Sequence, residues 1–206
     1  MLGIKATGVG AFIAVLTALS ACAQETSEEK ETLAPAEDTT IQTAVFAGGC
    51  FWCIESDLEK LDGVGDVVSG YAGGASDNPT YRNHGQHLEV VRAPFDPSVI
   101  SYRELTDYFL RHIDPLDDGG QFCDRGNSYR TAIFYADEAQ KEAAEAAIKA
   151  AEDELGQTIV TPARMLDKFW IAEDYHQDYY KKNPVRYKFY RTGCGRDRRV
   201  NEVWGK

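Results

Sequence analysis

Apolar positions in this 206-residue chain fall into short runs of strand length separated by stretches of helical spacing. Thr43-Ala44-Val45-Phe46-Ala47 is a near-continuous apolar run that predicts a buried strand, and Ile54 to Leu61 predicts a helix directly after it. Val64 to Tyr71 alternates as a second strand would and closes in Ala72-Gly73-Gly74-Ala75. Ser76 to Gly85 is polar and turn-rich, with Asn78-Pro79 as a breaker. Leu88-Glu89-Val90-Val91 reads as a strand ended by Pro94 and Pro97. Ser101 with Glu104 forms a capping-box pattern ahead of Leu105, Tyr108 and Phe109, so a helix begins there. Asp114 to Ser128 is a long loop rich in Asp and Gly, and loops of that length are usually functional or disordered. Thr131–Tyr135 predicts a strand, Asp137–Leu155 an amphipathic helix stopped by Gly156, and Thr158–Thr161 another strand. Phe169–Tyr180 predicts a short helix ended by Asn183-Pro184, and the chain from Arg191 onward reads as a mobile basic tail. Strands and helices mix without regular alternation. The pattern predicts an α+β, two-layer sandwich domain rather than a doubly wound sheet.

Residues 1–22 stand outside that pattern. Lys5 gives a weakly positive start, and Val9–Leu19 is apolar but too short to span a bilayer comfortably. Leu19-Ser20-Ala21-Cys22 resembles a bacterial lipoprotein signal, in which Cys22 is lipidated and becomes the new N-terminus. The plainer alternative is an ordinary secretory signal cleaved at Ala21 or Ala23. Ala23, rather than Asp, after the cysteine favours sorting to an outer membrane in a Gram-negative cell. Acyl chains contribute roughly 0.8 kcal/mol per buried CH₂, so such an anchor would hold the protein durably on a membrane. Residues 23–40 carry six acids and one lysine with almost no aliphatic side chain, the composition of a solvated tether. Residues 41–206 then form one domain of ordinary size.

The formal charge is −11, and −7 remains on the domain once the tether's six acids and one lysine and the leader's Lys5 are set aside. That balance leaves no footprint for nucleic acid. Arg191, Arg196, Arg198 and Arg199 gather near the C-terminus and read as a solvated basic tail. With Cys22 assigned to the lipid, four cysteines remain: Cys50, Cys53, Cys123 and Cys194. Four are too few for a disulfide-stapled mini-domain, and a single C-x-x-C without a second pair makes a poor structural zinc site. Exported thiols with one C-x-x-C suggest redox chemistry.

The chemistry concentrates in Gly48-Gly49-Cys50-Phe51-Trp52-Cys53. A cysteine between a strand and a helix meets the unpaired N–H groups and positive end of that helix, which favour a thiolate. The two glycines permit a sharp turn and close approach of a ligand. Phe51 and Trp52 supply an apolar recognition surface beside the thiol.

Further motifs follow in order: Gly70-Tyr71-Ala72-Gly73-Gly74, His87-Leu88-Glu89-Val90-Val91, Asp124 through Tyr129-Arg130, and Ala172-Glu173-Asp174-Tyr175-His176-Gln177. Together with Gly49-Cys50-Phe51-Trp52 this series, spanning about Thr43 to Asn183, resembles the A-type peptide methionine sulfoxide reductases. The resemblance implies an α/β sandwich with a ferredoxin-like core and much irregular chain. It implies reduction of the S epimer of methionine sulfoxide, free or in proteins, without metal or flavin. Cys50 would attack the sulfoxide sulfur and emerge as a sulfenic acid. Glu89 would be the acid that protonates the oxygen, its pKa raised by enclosure. Tyr71 and Tyr129 would hold the developing oxyanion, Asp124 would order the site through a water or a tyrosine, and Phe51 and Trp52 would take the substrate's methyl group. His87 and His176 fall inside the motifs, and a hydrogen-bonded structural histidine explains each adequately.

Two thiols compete to resolve the sulfenic acid. Cys53 lies one helical turn from Cys50, within reach of a short-range disulfide, whereas many family members have Gly there. Cys194, flanked by Gly193 and Gly195, sits where relatives often carry a recycling cysteine, and we favour it; Cys123 is a weaker third candidate. Gln86 also departs from the Gly that many relatives place before this His-x-Glu. The electrons would come from thioredoxin or, for an exported enzyme, a thioredoxin-like dithiol partner. Nothing in the sequence indicates an oligomer, so a monomer is expected. A general thiol–disulfide oxidoreductase using Cys50 and Cys53 is the chief alternative, but it leaves Glu89, Tyr71 and Tyr129 without roles. A non-catalytic lipoprotein that binds apolar chains is a further one.

Overall fold

The computed structural model describes residues 40–205, so Cys22, the leader and most of the acidic tether lie outside the described residues. In chain order the elements are β1 (Gln42–Gly48), α1 (Phe51–Leu58), β2 (Val68–Ala72), β3 (Leu88–Phe95), α2 (Tyr102–Leu110), β4 (Gly120–Gln121) and β5 (Asp124–Arg125). They continue through β6 (Thr131–Tyr135), α3 (Glu138–Leu155), β7 (Ala163–Met165), β8 (Phe169–Ile171), α4 (Tyr179–Lys182), α5 (Pro184–Gly193) and α6 (Arg196–Trp204). Six strands make one sheet in the order β7-β6-β1-β3-β2-β8, and β4 with β5 forms a separate hairpin. The inner four strands run β6-β1-β3-β2, all antiparallel, with α1 between β1 and β2 and α2 between β3 and β6. That βαββαβ winding is the ferredoxin-like core, and the α+β expectation holds.

Strand alternation assigns each face. Phe46, Val91, Ala93 and Phe95 point into the main core with Ile54 and Leu58 of α1, Leu105 and Phe109 of α2, and Ala144 and Ala147 of α3. Val45, Ala47, Leu88, Val90, Ala132 and Phe134 point the other way into a second, smaller core. That second face is closed by the sheet itself. Met165 ends one edge strand and Phe169 begins the other. Five interstrand spacings cover roughly 24 Å on a flat sheet, but four Cα steps reach at most about 15 Å. The sheet must therefore curl, and Arg164 of β7 donates to the Gly73 carbonyl at the end of β2 (3.2 Å). Leu166 and Phe169 cover the concave core.

The Ser101 capping box forms as expected, with the Ser101 hydroxyl accepting from the Glu104 N–H and the Glu104 carboxylate accepting from the Ser101 N–H. Gly156 ends α3 at φ +63°. Three expectations need correction. Thr158–Thr161 has no ladder, and the strand falls at β7, because Ile133, Phe134 and Tyr135 pair with Ala163 to Met165 instead. Phe169–Ile171 is strand rather than helix: it lies along β2, with Tyr71 opposite Trp170. Residues 191–205 are not a loose tail. They complete α5 and form α6, which docks through Val200 and Trp204 on the main core, Trp204 Nε1 donating to the Ile113 carbonyl at 3.2 Å. The exposed apolar side chains include Met165 on edge strand β7.

Candidate active site

β1 delivers its chain to the site through Gly48-Gly49. Gly49 has φ +81°, and a Cβ there would lie 2.5 Å from Cβ of Gln121, so only glycine fits the turn that ends in Cys50. Gln121 is buried and locked by hydrogen bonds with the Asp114 backbone N–H (2.9 Å) and carbonyl (2.8 Å). Cys50 occupies the N-cap of α1, and Phe51 is the first helical residue. The Phe51 N–H, one of the four left unpaired at a helix start, donates to Oε2 of Glu89 at 3.1 Å. Glu89 reaches it because odd positions of β3 face the helices, directly across from Tyr71 in the ladder.

A cleft of about 60 Å³ opens there, lined by Cys50, Phe51, Trp52, Tyr81, Glu89, Asp124, Tyr129 and Tyr190. Its size suits the tip of one side chain. Burial pushes Glu89 up to about 8, with the Asp124 charge adding to the rise and the Phe51 N–H opposing it. Glu89 therefore holds a proton at neutral pH. Asp124 is also raised by burial, and Tyr190 donates to its carboxylate. Tyr190 is hydrogen-bonded to Cys50 as well, which ties the thiol to the floor of the β4–β5 hairpin. Tyr129 lines the cleft together with Tyr81. Trp52 is fixed on three sides: its Nε1 donates to Nδ1 of His176 (3.1 Å), Tyr179 stacks on it at 3.7 Å between ring centroids, and Tyr190 meets it edge-on.

Cys50 and Cys53 are both free, buried and hydrogen-bonded to each other. Burial and the hydrogen bond to Cys53 push the Cys50 thiol up, while the bond from Cys50 draws Cys53 down, helped by Arg196 and Arg191. Cys194 is not poised against Cys50. It forms a disulfide with Cys123, the tip residue of the β4–β5 hairpin, across 71 residues of sequence.

Among the residues expected at the site, Cys50, Phe51, Trp52, Glu89, Asp124 and Tyr129 converge on the cleft, and Cys53 lies behind Cys50 in an apolar cluster with Tyr187. Tyr71 is displaced from the expected role: it is fully buried beside Phe51, and its hydroxyl donates to Oε2 of Glu173 at 2.9 Å. The cleft hydroxyls are instead those of Tyr81, Tyr129 and Tyr190. Glu173 also accepts the Tyr81 N–H at 3.0 Å, so the Glu173 motif seats Tyr81. Tyr81 is a lone tyrosine in a polar stretch and Tyr190 is one of several aromatics at 179–190, so neither stands out by its local pattern, and both are brought in only by tertiary folding. His87 is structural, accepting the Gly74 N–H (3.3 Å) and bonding Ser76 (2.9 Å), which fixes the turn after β2. Glu55, Glu59 and Asp178 cluster as metal ligands would. They are engaged internally: Glu55 with Ser69 and the Asp178 N–H, Glu59 with Tyr180, and Lys181 with Glu59 and Asp178.

A soft nucleophile at a helix start, facing a protonated carboxylic acid and three hydroxyl groups, defines a thiol enzyme that takes oxygen from its substrate. Residues 42–206 match the family model of peptide methionine sulfoxide reductase. The chain is 54% identical over 175 residues to peptide methionine sulfoxide reductase MsrA 2 of Rhizobium meliloti, covering 84% of this chain and 88% of the relative. Among solved structures it resembles reduced Mxr1 of Saccharomyces cerevisiae, with TM-score 0.68, 32% identity, and 72% and 89% of the two chains covered. Mxr1 in complex with Trx2 aligns with TM-score 0.51 at 24% identity over 72% of this chain and 91% of that one, a likeness of fold. The chain belongs to the peptide methionine sulfoxide reductases of the A type, and its activity is thiol-dependent reduction of methionine sulfoxide.

Proposed function

We propose that Cys50 attacks the sulfur of the S epimer of methionine sulfoxide, in proteins or as the free amino acid, while Glu89 protonates its oxygen. The observation that carries this reading is the buried Glu89, held against the start of α1 by the Phe51 N–H and raised to about 8. Tyr129, with Tyr81 and Tyr190, holds the oxygen, and Phe51 and Trp52 take the methyl group. Asp124 fixes Tyr190, and Tyr71 acts from behind by holding Glu173. Cys53, free and hydrogen-bonded to Cys50, resolves the sulfenic acid first. This reverses our preference for Cys194, whose sulfur is bonded to Cys123. Cys194 remains available for later exchange. The electrons come from a thioredoxin-like dithiol protein, and the enzyme works as a monomer on the periplasmic side of the cell, anchored through a lipid on Cys22.

The test is incubation with dithiothreitol and resolved sulfoxide epimers. Methionine should form from the S epimer alone, and no methionine from it would overturn the reading. Mapping of thiols after one turnover without reductant should show a Cys50–Cys53 linkage. Cys22→Ala should release the protein from membranes.

A further inference from the structure

The C-terminal arginines divide into two pairs. Arg198 is exposed, and Arg199 reaches Asp114 at 2.7 Å. Arg191 and Arg196 turn inward. The Arg196 side chain is only 2% exposed, its guanidinium donates to the carbonyls of Gly48 (3.2 Å) and His112 (2.9 Å), and Phe122 covers it at 4.6 Å. Gly48 is the last residue of β1, two positions before Cys50. No carboxylate lies within hydrogen-bond reach of Arg196 among the described residues. Its Nε has no hydrogen-bond partner, and the nearest acid, Asp57, keeps an equally unpartnered oxygen 3.9 Å away. The other Asp57 oxygen is taken by Arg191 at 2.9 Å. Asp57 thus serves three cations, the buried Arg196, the half-buried Arg191 and the exposed Lys60, whose Nζ lies 3.0 Å from the oxygen that Arg191 holds, while Arg191 has a second partner in the surface carboxylate of Asp197. A buried guanidinium without a close counter-charge is costly, so a further anion is called for.

Cys53 is the group placed to supply it. It is 2% exposed, lies one turn into α1 ahead of Asp57, and is packed between Cys50 and Tyr187, whose hydroxyl accepts from Arg191 at 2.9 Å. We propose that Arg196 and Arg191 are positioning residues that hold Cys53 as a thiolate, making it the base that takes the proton of Cys50 before it resolves the sulfenic acid. This rests on the sulfoxide-reductase reading of Cys50 and Cys53 above.

The steps balance with the groups present. The proton of Cys50 passes to Cys53 along their hydrogen bond. The Cys50 thiolate attacks the sulfoxide sulfur while Glu89 gives its proton to the oxygen. The hydroxyl then passes to Cys50, leaving a sulfenic acid and the thioether, with two electrons moved to the substrate sulfur. Cys53 attacks the sulfenic sulfur, the S–S bond forms, and hydroxide leaves with the proton that Cys53 carried, as water. The two protons of that water are those first held by Cys50 and Glu89. The charges facing Cys53 are the cations Arg191 and Arg196 and the carboxylate of Asp57; Glu89, which holds its proton, meets it as a neutral group, as do Cys50, Tyr187 and Tyr190. The cations and the Cys50 hydrogen bond lower Cys53 against burial and the charge of Asp57.

The experiment is a thiolate absorbance titration of the full chain, read as the difference from Cys53→Ser so that Cys22 cancels. The unaltered protein should show one thiolate already present below the ordinary thiol range. Arg196→Gln should move its midpoint up by about one pH unit, Arg191→Gln should move it the same way, and Asp57→Asn should move it down. The acid limb of kcat/KM should follow, with Arg196→Lys restoring it. An ordinary midpoint in the unaltered protein would overturn the proposal. So would no shift in a folded Arg191→Gln, or shifts of the same sign for Arg191→Gln and Asp57→Asn. Because the titration needs no turnover, it stands or falls apart from the sulfoxide assay.

Discussion

Glu89 faces two demands at once: it must hold a proton to donate, yet it sits at a helix start whose N–H groups favour a carboxylate. Burial wins, and the group ionises only near pH 8. Activity that needs the proton should fall as pH rises through about 8, and Glu89→Gln should lower kcat/KM roughly 100- to 10,000-fold at pH 7. The same shift has a thermodynamic sign. Between the ordinary carboxyl range and about pH 8 the folded state keeps a proton that the unfolded chain has lost, so the Glu89 contribution to stability falls as pH rises across that window. Chemical denaturation at several pH values should show that slope reduced in Glu89→Gln. At this scale the sequence was most legible where residues came in motifs: Cys50, Phe51, Trp52, Glu89, Asp124 and Tyr129 all line the cleft. Tyr81 and Tyr190 carry no local signature, and the hydroxyl of Tyr71 turns to a carboxylate 102 residues away.

The helix boundaries were readable because capping chemistry is local. Ser101→Ala should remove the side-chain half of the α2 capping box, leaving the Ser101 N–H on the Glu104 carboxylate, and cost about 1 kcal/mol in denaturant titration, with turnover unchanged. The turn into α1 is a different case, since Gly49 combines φ +81° with contact on Gln121. Gly49→Ala should cost about 1–3 kcal/mol and also lower turnover, because relief of the strain displaces Cys50. The edge strands were harder to read. β7 and β8 have three residues each, too few for a period, and what sets them is the partner strand rather than their own pattern. Proline misled in the same way: Pro94 was expected to end β3, yet it lies inside the strand opposite Thr43.

Across the whole molecule, the C-terminal helices are part of the active-site wall rather than an appendage. α5 carries Tyr190 to Asp124, α6 carries Arg196 beneath the β1–α1 turn, and the Cys123–Cys194 bond ties this layer to the hairpin. A loop of 71 residues closed by one disulfide is worth about 4 kcal/mol in the chain-entropy account. Cys123→Ser should therefore lower the melting temperature, and reductant should lower that of the unaltered protein but not of the variant. Composition gave no warning of this layer, because a run of four arginines in fifteen residues reads as solvated until the fold supplies Asp57 and the Gly48 carbonyl. One exposed side chain carries a consequence of its own. Met165 is the single methionine among the described residues, and it lies 69% exposed on an edge strand rather than in either core. Oxidation there adds an oxygen at the surface and leaves the packing of both cores unbroken. The thioether most open to oxidant is thus the one whose change costs the fold least.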